Sequence, residues 1–369
     1  MIEASFCIFS QSISTMNKVF SIVFLLTAFS LNLNAQQTEK GKVSETFMNP
    51  LRKGADPYIT KHDGKYYTIF NEKGGFAVTE SRYLTKFEKK EVVWTPPEDK
   101  WNSYNLWAPE IHHIDGKWYI YYAGSVHKGA PYYAQRAGVL ESDSPFGPYT
   151  DKERLYTGDD PNQKKDNCWA IDMTVLELND KKYAVWSGWE TLHDHHDVDQ
   201  NLYIAEMINP WTLGKRVLLS KPELNWEKGD NIVLQEGPQI LKHNDDVFVI
   251  YSTRGSWTEH YKLGQLRLTK GKDPLSPSSW IKSSKPVFQG TSTVHGLGHA
   301  SMTTSPDDSE YWIYYHSKAA LDGGWDNREV YLQRFTFGKD GNPVFGIPNG
   351  RGAVKRPSGE VKIEQALQR

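Results

Sequence analysis

GADPYITKHDGKYYTIF, residues 54–70, carries a layout that returns four more times along the chain. Ala55-Asp56 leads into Pro57 and the apolar Ile59. A polar turn, His62-Asp63-Gly64-Lys65, follows, and then an aromatic-rich run from Tyr66 to Phe70. The same order appears in WAPEIHHIDGKWYIYY (107–122), IDMTVLELNDKKYAVW (171–186), EGPQILKHNDDVFVIY (236–251) and GHASMTTSPDDSEYWIYY (298–315). Copies spaced roughly 50–65 residues apart mark a radially repeated all-β architecture. The sequence therefore predicts an all-β fold, a five-bladed β-propeller.

Stacking the copies separates packing from chemistry. Pro57, Pro109 and Pro238 share a column with Met173 and Ala300, and two positions on lies an apolar ring of Ile59, Ile111, Val175, Ile240 and Met302. The column before the prolines reads Asp56, Ala108, Asp172, Gly237, His299; the one before that reads Ala55, Trp107, Ile171, Glu236, Gly298. The innermost strands of a propeller stand side by side around a central channel, so equivalent positions form rings. The apolar ring is core, and the two earlier rings point Asp56, Asp172, Glu236, His299 and Trp107 at one funnel. Proline suits the first residue of such a strand, where its missing N–H costs no ladder bond.

The rest of the chain fits one secreted domain. Lys and Arg number 43 against 45 Asp and Glu, which leaves no electrostatic case for nucleic acid or an anionic membrane. MNKVFSIVFLLTAFSLNLNAQQ (16–37) has a lysine, a short apolar run and a small-residue exit at Ala35, the pattern of a cleavable signal peptide rather than a membrane span. Residues 1–35 are therefore read as the signal, with 1–15 a spurious upstream extension. No cysteine follows the apolar run, so no lipid anchor is expected. Residues 36–49 are read as a loose lead-in and 50–369 as a single propeller. The mature chain then keeps only Cys168, and stability must come from burial rather than a disulfide. Localisation is expected to be secreted or periplasmic.

Carboxylates converging on one funnel in a secreted, nearly uncharged, aromatic-rich propeller point to glycoside hydrolysis. That reaction needs an acid to protonate the leaving oxygen and a base to activate water on the opposite side of the sugar. A third carboxylate near the acid raises its pKa and keeps it protonated near neutral pH. Strand tyrosines account for most of the 13% aromatic content; Trp107 and Trp189 are read as walls that stack a sugar ring. Glu110, in the ring after the prolines, is read as a structural carboxylate beside the site. The HDHHDVD run, 193–199, mixes ligand types at a spacing that matches no closed metal site, and is read as a solvated loop.

GADPYI, NLWAPEIH, WAIDMTV, QEGPQIL and HGLGHAS, in this order and spacing, resemble the motifs of glycoside hydrolase family 43, five-bladed inverting hydrolases of arabinans and xylans. The resemblance spans residues 49–350. It implies a general base at Asp56, a residue that sets pKa and orientation at Asp172, and a general acid at Glu236. It further implies a sugar contact at Arg328, and at His299 a channel position linked through water to a structural calcium ion; no cofactor is implied for the chemistry itself. DNCWAID, QNLYIAEMINPWTL and NPVFGIPNG are similar to the exo-acting α-L-arabinofuranosidases of that family, which trim α-1,5-linked arabinan. Ala300 and Leu297 depart from that subgroup, which has Asn and Pro there. The expected function is release of terminal α-L-arabinofuranose from arabinan, arabinoxylan or their oligosaccharides, plant cell-wall substrates. A β-xylosidase or bifunctional enzyme is the alternative within the class, and a non-catalytic glycan-binding propeller the alternative outside it.

Overall fold

The computed structural model describes residues 43–160, 168–192, 195, 198–321 and 324–367. The signal-peptide reading of 1–35 lies outside them, as do His193, Asp194, His196 and Asp197 of the histidine-rich run. The body of the fold is the unit Glu45–Ile363. The described residues beyond it are 43–44 and the end of a terminal helix.

Each of the five repeats begins an antiparallel sheet of consecutive strands. Blade one is Tyr58–His62, Lys65–Glu72, Gly75–Ser81 and Lys89–Trp94; blade two is Tyr104–Ile114, Lys117–Ser125, Arg136–Ser142 and Thr150–Arg154. Blade three opens with Ala170–Leu178, Lys181–Gly188 and Asn201–Asn209, and blade four with Gln235–His243, Asp246–Thr253 and Lys262–Leu268. Blade five has His295–Thr304, Tyr311–Lys318 and Arg328–Phe337. The polar turns of the first three copies are tight hairpins. Asp63-Gly64, Asp115-Gly116 and Asn179-Asp180 all have positive φ at both central positions, as a two-residue turn matched to strand twist requires.

The first strands of neighbouring blades pack on one another all the way round and close the ring. Five apolar clusters fill the wedges between adjacent blades. Ile69, Phe76, Ile111 and Ile120 join blades one and two, for example, and Ile59, Tyr66, Trp312 and Tyr314 join blades five and one. Burial of these strand residues on both faces of each sheet is the main stabilising term.

The N-terminal segment is more ordered than the lead-in reading expects. Thr46–Asn49 pairs antiparallel with Gly352–Lys355, and Arg52–Lys53 adds an outer strand to blade five beside Arg328–Phe337. Asn49 is 3% exposed and bonds both backbone groups of Leu332, at 3.0 and 3.1 Å. The chain therefore closes its last blade with its own beginning. A helix that the sequence reading did not anticipate, Glu360–Leu367, ends the described chain. The buried Glu360 carboxylate accepts the backbone N–H groups of Leu84 and Thr85 and ties this segment to blade one.

One backbone feature unites the blades. Asp56, Ala108, Asp172, Gly237 and His299, the column before the prolines, all adopt left-handed conformation, with φ between 40° and 56°. Pairing with the second strand slips at this place in blades two to five, between Trp107 and Glu110, Ile171 and Thr174, Glu236 and Gln239, and Gly298 and Ser301. A β-bulge of this kind bends the strand and re-aims its side chains. Asp, His and Gly tolerate the left-handed region better than most residues, which fits four of the five positions.

Candidate active site

The bulges aim both columns into one small cavity of about 100 Å³. Asp56, Trp107, Ala108, Ile171, Asp172, Glu236 and His299 line it from the ring, and Tyr132, Ser256, Trp257, Trp325 and Arg328 line it from loops and strand ends. A broader cleft of about 690 Å³ shares Asp56, Trp107, Ala108 and Arg328 with it and runs outward past Arg52, Phe70 and Phe87. Six of the seven site residues singled out from the sequence therefore meet in one cavity.

Asp56 is held as a carboxylate. Burial alone would raise its pKa, but the Arg328 guanidinium at 3.1 Å and His299 Nδ1 at 3.3 Å outweigh it and push the group far below the usual carboxylate range. His316 accepts the Asp56 backbone N–H at 3.1 Å. That ring is fully buried, and burial lowers its pKa to about 4, so it is neutral near pH 7.

Glu236 is the opposite case. Burial raises its pKa to about 7, and the nearby Asp56 charge adds to the rise, against a hydrogen bond from Tyr261 (2.8 Å) and the more distant Arg328. Asp172 is also pushed up to about 7, by burial first and then by the charges of Glu236 and Asp56, against His299. Its Oδ2 accepts the Gly237 N–H at 2.9 Å and so holds the residue that follows Glu236. Asp172 and Glu236 disfavour each other's ionisation, a like-charge effect that acts on both, and the Asp56 charge adds to it.

Trp189 does not reach the cavity. It is fully buried, stacked on Trp169 at 4.8 Å and 11°, with the Tyr132 ring 6.3 Å away. The wall itself is Tyr132 together with Trp107, whose rings are 5.5 Å apart, so Trp189 backs the wall instead of forming it. A loop pair absent from the sequence reading completes the rim: Trp257 and Trp325 stack at 5.7 Å and 21°, and Trp325 meets Trp107 edge-on at 6.1 Å. These loops lie outside the repeats, so no column could reveal them. Glu110 sits away from the cavity lining, 1% exposed, with Oε2 at 2.9 Å from His112 Nε2 and Oε1 accepting from Gln239. Burial raises its pKa to about 8 and lowers that of His112 to about 3, so both are neutral at pH 7.

A calcium ion takes six to eight oxygen ligands. Among the described residues no group of three or more His, Cys, Asp or Glu could hold a metal, and His299 turns Nδ1 towards Asp56. No helix among the described residues is long and apolar enough to cross a membrane.

The profile of the glycosyl hydrolases family 43 matches residues 47–343. An extracellular exo-α-(1→5)-L-arabinofuranosidase of Streptomyces avermitilis is 32% identical over 90% of this chain and 70% of its own length. An enzyme of the same description from Streptomyces chartreusis is 32% identical over 74% of this chain and 82% of its own. The crystal structure of an α-L-arabinofuranosidase from Lactobacillus brevis superposes with a TM-score of 0.73 at 34% identity, covering 83% of this chain and 98% of that one. With a propeller of five blades, three carboxyl groups in one funnel and this matching profile, the chain belongs to glycosyl hydrolases family 43 and is a glycosidase acting on O-glycosyl compounds.

Proposed function

We propose that this protein is a secreted, exo-acting α-L-arabinofuranosidase that removes terminal arabinofuranose from arabinan or arabino-oligosaccharides by a single displacement with inversion. The observation that carries the reading is the opposite protonation of two carboxyl groups on one cavity: Asp56 ionised, Glu236 protonated up to about pH 7. Asp56 takes a proton from water as its oxygen attacks the anomeric carbon. Glu236 gives its proton to the glycosidic oxygen as that bond breaks, and the net change is addition of one water across it. Asp172 holds the Gly237 amide and so aligns the acid. Arg328 and His299 keep the base ionised and border the sugar.

A small cavity rimmed by Trp107, Trp257 and Trp325 suits one terminal ring better than the middle of a chain. The substrate assignment draws on the Streptomyces and Lactobacillus relatives, and the secreted location on the apolar N-terminal segment and the extracellular description of the Streptomyces enzymes. Two carboxyl groups and water suffice for the chemistry.

Proton NMR of the first product from α-1,5-arabino-oligosaccharides tests this directly. β-Arabinofuranose appearing before its anomer is the expected result. Initial α-product overturns inversion, release of xylose but not arabinose overturns the substrate class, and binding without cleavage returns the molecule to a lectin.

A further inference from the structure

Glu236 has two carboxyl oxygens, and a general acid works only if its proton sits on the one that faces the leaving group. We propose that the buried Tyr261 hydroxyl, which donates to Glu236 Oε1, reserves that oxygen as an acceptor and leaves Oε2 as the oxygen that delivers the proton. Tyr261 is then the positioning residue of the acid. This rests on Glu236 being that acid.

The direction of the bond follows from counting protons. The Tyr261 hydroxyl lies 2.8 Å from Glu236 Oε1, and the residue is 1% exposed, so water does not compete for its proton. Among the described residues Glu236 Oε1 is the partner this hydroxyl is hydrogen-bonded to. If Oε1 carried the acid proton and turned it on the phenol, the phenol's own proton would be left buried without that acceptor.

Packing keeps the phenol from turning away. Its ring lies parallel to His316, 5.4 Å off at 9°. On the other side is Gly298, where an added Cβ would stand 2.2 Å from Tyr261 Cε1. That contact explains why the fifth copy has glycine in the column that holds Glu236 in the fourth. The other ionisable groups acting on this corner are Asp56, Asp172, His299, Arg328 and Tyr132.

The test compares Tyr261→Phe, Gly298→Ala and Glu236→Gln on an arabino-oligosaccharide and on 2,4-dinitrophenyl α-L-arabinofuranoside, whose leaving group needs no proton. Tyr261→Phe should lower kcat on the oligosaccharide by about 10- to 50-fold, leave KM and the dinitrophenyl rate within about twofold, and move the alkaline limb upward, since a donor to the charged form is gone. Gly298→Ala, which sets a Cβ against the phenol ring, should do the same to a smaller degree, and it carries the test alone if the phenylalanine variant does not fold. Equal losses on both substrates, or an unmoved alkaline limb, overturn the role of Tyr261. If Glu236→Gln itself fails to discriminate between the two substrates, the acid assignment falls instead, so the two failures are distinct.

Discussion

The strand start of blade one sets Asp56 beside three nitrogen groups, Arg328, His299 and His316, at 3.1 to 3.3 Å. The strand start of blade four sets Glu236 beside a phenol and, among the described residues, no cation within ion-pair distance. Both carboxyls line one cavity from the strand starts of their blades, yet one is ionised and the other holds its proton to about pH 7. The repeat therefore supplies direction, and the side chains that each strand start meets supply charge. For Asp56 those neighbours all come from blade five, which stands next to blade one because Arg52–Lys53 closes the ring onto Arg328–Phe337. Closing the propeller and assembling the base are one event.

Removing the base is the harshest way to break this contrast. Asp56→Asn should cut kcat by about 10³- to 10⁴-fold on the oligosaccharide and on the dinitrophenyl glycoside alike, because water must be activated whatever the leaving group. Parallel kinetics on the two substrates check it. A loss confined to the oligosaccharide would give Asp56, not Glu236, the acid's behaviour.

A milder change sharpens the contrast by moving the base towards the acid. The folded pKa of Asp56 is depressed by Arg328, and the base works only when ionised. Arg328→Gln should raise that pKa towards the ordinary value near 4, so that activity falls as pH drops below about 5, where the parent enzyme's base stays ionised. The expected loss in kcat/KM at about pH 4 is about two- to tenfold, beyond any uniform rise in KM from the lost sugar contact. The pH profile on the dinitrophenyl glycoside, which needs no acid, isolates it. An acid limb that does not move would mean that His299 alone holds Asp56 ionised.

The legibility of this site divides along the same line. The three acids could be read because each sits in a column that four other copies align, and the left-handed backbone of all five positions is the physical counterpart of that alignment. Their protonation could not. His316 lies in an otherwise aromatic strand where nothing marks it, and Arg328 reaches Asp56 across 272 residues of chain; only the family resemblance drew attention to it. Tyr261 has no equivalent in the repeat at all. The N-terminal lead-in looked loose because the four residues of Thr46–Asn49 are too short for a pattern, and their partner strand lies some 300 residues later, at Gly352–Lys355. The terminal helix, eight residues long, is likewise too brief for a helical period to register.

Trp189 marks the remaining limit and the smallest expected effect. A tryptophan that faces sugar and one that backs the residue facing sugar share the same composition and neighbourhood in sequence, and only packing tells them apart. Trp107 lines the cavity, whereas Trp189 is fully buried behind Tyr132. Trp107→Ala should therefore raise KM by about tenfold, as loss of a stacking face does when about 1.4 kcal/mol is forfeited. Trp189→Phe removes part of an indole from a packed stack and should cost about 1–2 kcal/mol of stability, with kcat/KM within about twofold of the parent. Thermal melts and Michaelis–Menten kinetics on the same two preparations decide it. If Trp189→Phe raises KM as far as Trp107→Ala does, the stack behind Tyr132 transmits to the sugar, and the wall is two layers deep.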